Sequence, residues 1–267
     1  MTQTVALMVK VWNEEFFLPF MLQYYETLGV DAIYIFEGGS TDSTPDILRE
    51  WHKTNGNCIR NLVWQEEPHD EWFVKTVSEG KLINDAVKMI EDDGYDWIVK
   101  LDADEVFSTS MVDLIEHVKR GYSLKHGFQV PRIHLITDQY HRIWGNEDDA
   151  TTWYPDYNVR FFNVKRNVWR HYEIKELDTQ LFAQRSPVHI EELTDLYSII
   201  HLHFLFEGRR HKRHGNRNDE DFQVNNTNYK IIEFNSEPQC PPMFIEWLEK
   251  KQIEWSKDQE AFFNKVK

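Results

Sequence analysis

The first hundred residues of this chain switch hydrophobic period repeatedly, and that alternation restricts the fold more than any other feature. Thr4 to Val11 is a continuous apolar run of strand length. Glu14 to Leu28 has helical spacing, with Phe17, Met21, Tyr24, Tyr25 and Leu28 on one stripe and Gly29 as the stop. Asp31 to Phe36 is a second strand, and Ser40-Thr41-Asp42 opens a second helix through Ile47, Leu48 and Trp51. Ile59 to Trp64 is a third strand, Val74 to Ile90 a long helix ending near Gly94, and Tyr95 to Leu101 a fourth strand. Strands alternating with helices predict a parallel α/β sheet. Ligands of such sheets bind beyond the carboxyl ends of the strands. Trp12-Asn13-Glu14, Glu37-Gly38-Gly39 and Asp102-Ala103-Asp104 then share one rim.

The later sequence is less regular. Met111 to Arg120 reads as a helix, and Gly127 to Leu135, Asn158 to Val164 and Tyr197 to Phe206 as strands. Residues 136–155 are loop-like. Pro238 to Pro242 breaks the chain before a final amphipathic helix carrying Phe244, Trp247, Leu248, Trp255 and Phe262. With no repeat and no linker, the expectation is one domain over 1–267, divided into 1–107, 108–237 and 238–267. The 17 Phe, 11 Tyr and 10 Trp can fill a large core.

A net charge of −15 opposes general nucleic-acid binding, which needs positive surface. Cys58 and Cys240 have neither metal-ligand spacing nor the numbers for a disulfide framework, so a reducing, cytoplasmic setting is expected. The start reads as a first core strand and not a signal peptide, and no apolar run has transmembrane length.

Asp102-Ala103-Asp104, with Glu105 following, carries the chemistry. Two carboxylates this close repel unless a cation neutralises them. Flexible oxygen ligands suit Mg²⁺ or Mn²⁺ better than zinc, and an ion held by one or two carboxylates completes its shell with waters and substrate phosphates. The expectation is a metal–diphosphate site at a strand end; the bland alternative is a solvated acidic loop.

Three ordered segments extend this. Val9-Lys10-Val11-Trp12-Asn13-Glu14-Glu15, Glu37-Gly38-Gly39-Ser40-Thr41-Asp42-Ser43-Thr44 and Leu101-Asp102-Ala103-Asp104-Glu105 together resemble the family 2 glycosyltransferases of GT-A fold. The resemblance spans roughly residues 4 to 107 and loosens afterwards. It implies a Rossmann-like mixed sheet flanked by helices, with 1–107 as the nucleotide-sugar-binding half and 108–237 as the acceptor half. It further implies a metal-dependent transfer of sugar from a nucleotide diphospho-sugar to an acceptor hydroxyl, with inversion. Val11, Asn13, Glu14, Glu37, Asp42 and Asp102 would then face the donor. Glu37 stands where the family usually has Asp. Gly38 to Asp42 also reads as a turn and helix cap, and Asn13-Glu14 as a helix start.

By the same resemblance, Asp102 contacts ribose or metal-bound water and Asp104 ligates Mn²⁺ or Mg²⁺. A histidine of the second half is a further ligand, either His201 or His203, with His203 favoured. These two share one face of an alternating strand. Arg209 to Arg217 is the dense basic run of an acidic chain. It reads as a solvated loop, as a diphosphate clamp through Arg210 and Arg213, or as a contact for a polyanionic acceptor. Candidates for the base that deprotonates the acceptor are Glu173 and Asp156, with the assignment left open. The rivals are a sugar-nucleotide nucleotidyltransferase, a glycosyltransferase acting on modified DNA bases, and a non-catalytic nucleotide-sugar-binding module. Enzymes of the first kind typically carry a Gly-rich basic loop after the first strand, and Val9-Lys10-Val11-Trp12-Asn13-Glu14 here lacks it.

Overall fold

A computed structural model describes residues 2–55, 59–64, 85–123, 125–135, 140–144, 156–165, 168–171, 182–185, 190–194, 196–202, 229–233 and 240–251. Its contacts divide the chain into two compact units, each assembled from several segments. The first comprises Met1–Asp104, Val112–Gln129 and Val159–Glu192; the second comprises Glu105–Met111, Val130–Asn158 and Leu193–Lys267.

The first unit begins with the alternation read from the sequence: β1 (Val5–Val11), α1 (Leu18–Tyr25), β2 (Ala32–Glu37), α2 (Thr44–Asn55), β3 (Ile59–Trp64), helix α3 (85–92 as described) and β4 (Trp97–Asp102). β1 pairs in parallel with β2 on one side and with β4 on the other, and β2 pairs in parallel with β3. The resulting order, β3-β2-β1-β4, reverses direction between β1 and β4. That reversal is the topological switch point at which open α/β sheets bind ligands.

Both faces of β1, β2 and β4 are buried, as parallel sheets require. Along β1, Val5, Leu7 and Val9 point one way and Ala6 and Met8 the other, and all five are buried. Ala6, Met8, Tyr34, Phe36 and Ile98 pack with Ala86 and Ile90 of α3, and with Phe162. On the opposite face Trp97 lies 5.2 Å from Phe161 and 6.0 Å from Phe128, ring centre to ring centre. Aromatic clusters of this kind bury a large apolar area per residue.

α1 is shorter than the residue 14–28 stripe predicts. Asn13 has φ 53°, outside the helical region, and Pro19 sits in the first turn. Residues 12–17 therefore form turns, and the helix begins only at Leu18. Gly29, with φ 69°, ends the segment where the sequence placed the stop.

After β4 come β5 (Glu105–Phe107), α4 (Thr109–Lys119), β6 (Gly127–Leu135), β7 (Tyr140–Trp144) and β8 (Asp156–Asn163). These are followed by β9 (Val168–His171), β10 (Phe182–Arg185), β11 (Ile190–Glu192), β12 (Ile199–His201) and β13 (Tyr229–Glu233). Within the first unit β8 runs antiparallel to β4, making the sheet mixed, and β9 pairs with β10. Within the second unit β12 pairs antiparallel with β5 and parallel with β6, while β7 lies between β6 and β13. β7 corrects the loop expected over 136–155. Its Tyr-His-Arg-Ile-Trp run carries too little alternation to be recognised alone, and pairing on both sides stabilises it. Residues 242–251 form α5, with Phe244 and Leu248 buried; Trp255 and Phe262 lie outside the described residues.

No helix among the described residues is long and apolar enough to cross a membrane.

Candidate active site

The loops after β1 and β2 are tied together by their own polar side chains. Asn13 N–H donates to Ser40 Oγ at 2.8 Å, and Thr41 N–H donates to Asn13 Oδ1 at 2.8 Å. Glu14 N–H donates to Thr44 Oγ1 at 2.7 Å and Glu15 N–H to Asp42 Oδ2 at 3.1 Å. Asp42 Oδ1 accepts Thr44 N–H at 2.9 Å, the bond of a residue that shapes a helix start. Glu37, buried at the end of β2, accepts Gly39 N–H at 3.0 Å and Ser40 N–H at 2.6 Å. Gly38 N–H donates to Val11 O, and an added Cβ there would meet that same oxygen at 3.5 Å. This close approach brings the two loops together. Of the residues expected to face a donor, Val11, Glu14 and Glu37 are buried, and Asn13, Glu37 and Asp42 have visible work in holding the loops.

Asp102 closes β4 opposite Lys10 of β1. Lys10 Nζ lies 3.4 Å from Asp102 Oδ1, and Arg160 Nη2, from β8, lies 3.4 Å from Asp102 Oδ2. Asp102 thus has a protein cation beside each of its oxygens. Burial opposes the charged form of Asp102, but Lys10, Arg160 and Lys100 outweigh it and hold the carboxyl well below the usual range, against a smaller opposing push from Asp104. Ala103 N–H donates to Lys10 O at 3.1 Å and orients the turn. Asp104 follows in that turn and is 1% exposed.

Lys10 was not singled out in the sequence, and Arg160 appeared there only within a strand. A signal existed. Lys10 and Lys100 are the charged residues inside two otherwise apolar central strands, where a cation needs a partner.

Glu105, Arg132, His134 and His201 form a separate cluster in the second unit. His201 is registered opposite both Glu105 on β5 and His134 on β6. The two imidazoles approach to 2.7 Å between Nδ1 atoms, so one donates and the other accepts. Arg132 Nη1 lies 3.5 Å from Glu105 Oε1, whose residue is fully buried. The partner seen for His201 is therefore His134. His203, Glu173, Arg210, Arg213 and the rest of the 209–217 run lie outside the described residues. Asp156 begins β8.

Among the described residues no group of three or more His, Cys, Asp and Glu side chains is placed to hold a metal ion. Asp102 and Asp104 offer two carboxylates and no soft ligand. That donor set fits Mn²⁺ or Mg²⁺ completed by water and phosphate, and does not fit a closed structural zinc site.

No family model matches the chain, and no curated protein matches it. Among solved structures it is similar to S. aureus TarS, at TM-score 0.50 and 14% identity over 74% of this chain and 36% of that one. Residues 1–349 of S. aureus TarS in complex with UDP match at the same TM-score and identity, over 74% of this chain and 60% of that one. A mannosyltransferase from Pyrobaculum calidifontis, solved with GDP-Man and Mn²⁺, has 19% identity over 49% of this chain and 36% of its own, at TM-score 0.39. That fit is too loose to carry weight. The chain spans little more than a third of the longer TarS structure. At these identities the likeness bears on architecture, and the architecture is the GT-A-type, Rossmann-like α/β fold.

Proposed function

We propose that this protein is a metal-dependent glycosyltransferase of the family 2 type, moving a sugar from a nucleotide diphospho-sugar to an acceptor hydroxyl. The observation that carries the reading is the placement of Asp102 and Asp104 at the β1/β4 switch point of a GT-A-type sheet. TarS, which shares the fold, was solved with UDP.

Asp102 and Asp104 would hold Mn²⁺ or Mg²⁺. When bound, such an ion offsets charge on the diphosphate oxygens. The bond between the sugar's anomeric carbon and the diphosphate breaks with its electron pair leaving on the diphosphate. The acceptor oxygen bonds to that carbon from the opposite face and gives its proton to a carboxylate, Glu173 or Asp156, so that the product is inverted. The loop network of Asn13, Glu37, Ser40 and Asp42 keeps the donor rim rigid, because its polar groups are already hydrogen-bonded to each other. Arg210 and Arg213 are proposed as a cover over the leaving diphosphate.

Thermal unfolding with UDP, GDP and their sugars, in EDTA and then in Mn²⁺, tests this. A ligand that binds only the folded state at 100 times its Kd adds about 2.7 kcal/mol of stability. One nucleotide series should raise Tm, and more in Mn²⁺ than in EDTA. No rise with any of them, in either buffer, overturns the donor assignment. An equal rise in both removes the metal.

A further inference from the structure

One face of the two central strands changes character along its length. Ala6 lies opposite Ile98, then Met8 opposite Lys100, then Lys10 opposite Asp102. Arg160 stands two residues before Phe162, which pairs with Ile98, so it shares this face. The apolar layer under α3 therefore ends in a quartet of three cations and one carboxylate, in a chain whose formal charge is −15. Lys100 and Arg160 are buried, whereas the Lys10 and Asp102 side chains keep 22% and 18% exposure and reach the rim.

The position is the switch point, where the crevice of such sheets opens. Both contacts to Asp102 measure 3.4 Å, longer than the roughly 2.7–2.9 Å of a well-made charge-assisted hydrogen bond. Asp102 holds these cations loosely. A diphosphate offers more charge and several oxygens, and a guanidinium fork matches such groups bidentately. An anion entering the crevice can thus take over these cations, replacing the aspartate's contacts with its own.

We propose that Lys10 and Arg160, with Lys100 behind them, form an anion subsite that grips the donor's diphosphate directly, and that Asp102 is its internal substitute before the donor arrives. This rests on the donor reading above. The subsite adds protein cations to whatever a metal contributes, so part of the diphosphate affinity is independent of metal.

The test is calorimetric titration of the 267-residue chain with inorganic pyrophosphate in EDTA. The wild-type protein should bind, and Lys10→Met should weaken binding about tenfold or more, while Lys10→Arg stays within about threefold because the charge is kept. Asp102→Asn should tighten binding, since it removes the internal competitor. A residue that serves only as a metal ligand has no such effect in EDTA. No pyrophosphate binding by the wild type, equal binding by Lys10→Met, or weaker binding by a folded Asp102→Asn each overturns the subsite. Should Asp102→Asn fail to fold, the two Lys10 variants decide. Pyrophosphate carries neither sugar nor nucleoside, so this result stands apart from the donor screen. Loss of pyrophosphate binding in Lys10→Met supports the subsite even if no nucleotide sugar binds. Nucleotide-sugar binding with wild-type affinity by Lys10→Met removes the subsite and leaves the transferase reading standing.

Discussion

Asp102→Asn is a nearly isosteric change, yet it should lower stability measurably. Asp102 faces Lys10 and Arg160 at 3.4 Å each. At an effective dielectric of about 20, each contact is worth roughly 5 kcal/mol of Coulomb attraction. Desolvating a carboxylate offsets several kcal/mol of that, and breaking a fully buried pair costs about 3–5 kcal/mol. Asp102 keeps 18% of its side-chain exposure, so about 2–3 kcal/mol is expected for Asp102→Asn at pH 7. Asp104 instead repels its neighbour, raising the Asp102 carboxyl. Urea unfolding at fixed m-value gives the Asp102→Asn number.

The pH dependence supplies a second check. The folded Asp102 carboxyl titrates below its unfolded value of about 3.9, so the unfolded chain binds the proton first as pH falls. Its contribution is fully present above the unfolded value and is lost as pH drops through the folded one. The gap between wild type and Asp102→Asn should hold constant from about pH 7 to 5 and shrink below about pH 4. Equal stability of Asp102→Asn and wild type would refute the assignment of Lys10 and Arg160 as partners of Asp102.

Two further outcomes are expected. Asn13→Ala removes the acceptor of Thr41 N–H and puts at φ 53° a residue that tolerates this region less well than asparagine, for a combined loss of about 2 kcal/mol, whereas Asn13→Gly keeps the backbone accessible and loses about half that in the same urea assay. Cys240 is buried, and burial pushes its thiol up to about 12, so peptide mapping after alkylation at about pH 8 should find it unlabelled in the folded protein and labelled in urea.

The strand and helix order of the first hundred residues was readable because a parallel sheet buries both faces of its central strands. Apolar runs such as Val5–Val11 and Trp97–Asp102 stand out against amphipathic helices in that setting. The rim was readable too, since strand polarity alone places Asn13, Glu37 and Asp102 at carboxyl ends. Glycine stops worked at Gly29 and Gly94, where positive φ is a local property. Strands β5, β7, β9, β10, β11 and β13 escaped because they are short and acquire their preference from neighbours, as Glu105–Phe107 does from Ile199–His201. Register was equally hidden. The sequence places His201 on one strand face with His203, which lies outside the described residues, but it does not reveal the contact with His134, sixty-seven residues away. The closest case is Asp102 itself. Repulsion between adjacent carboxylates is visible in one line of sequence and demands a cation. Which cation answers depends on strand order, and only the pairing of β1 and β8 with β4 brings Lys10 and Arg160 to that carboxylate.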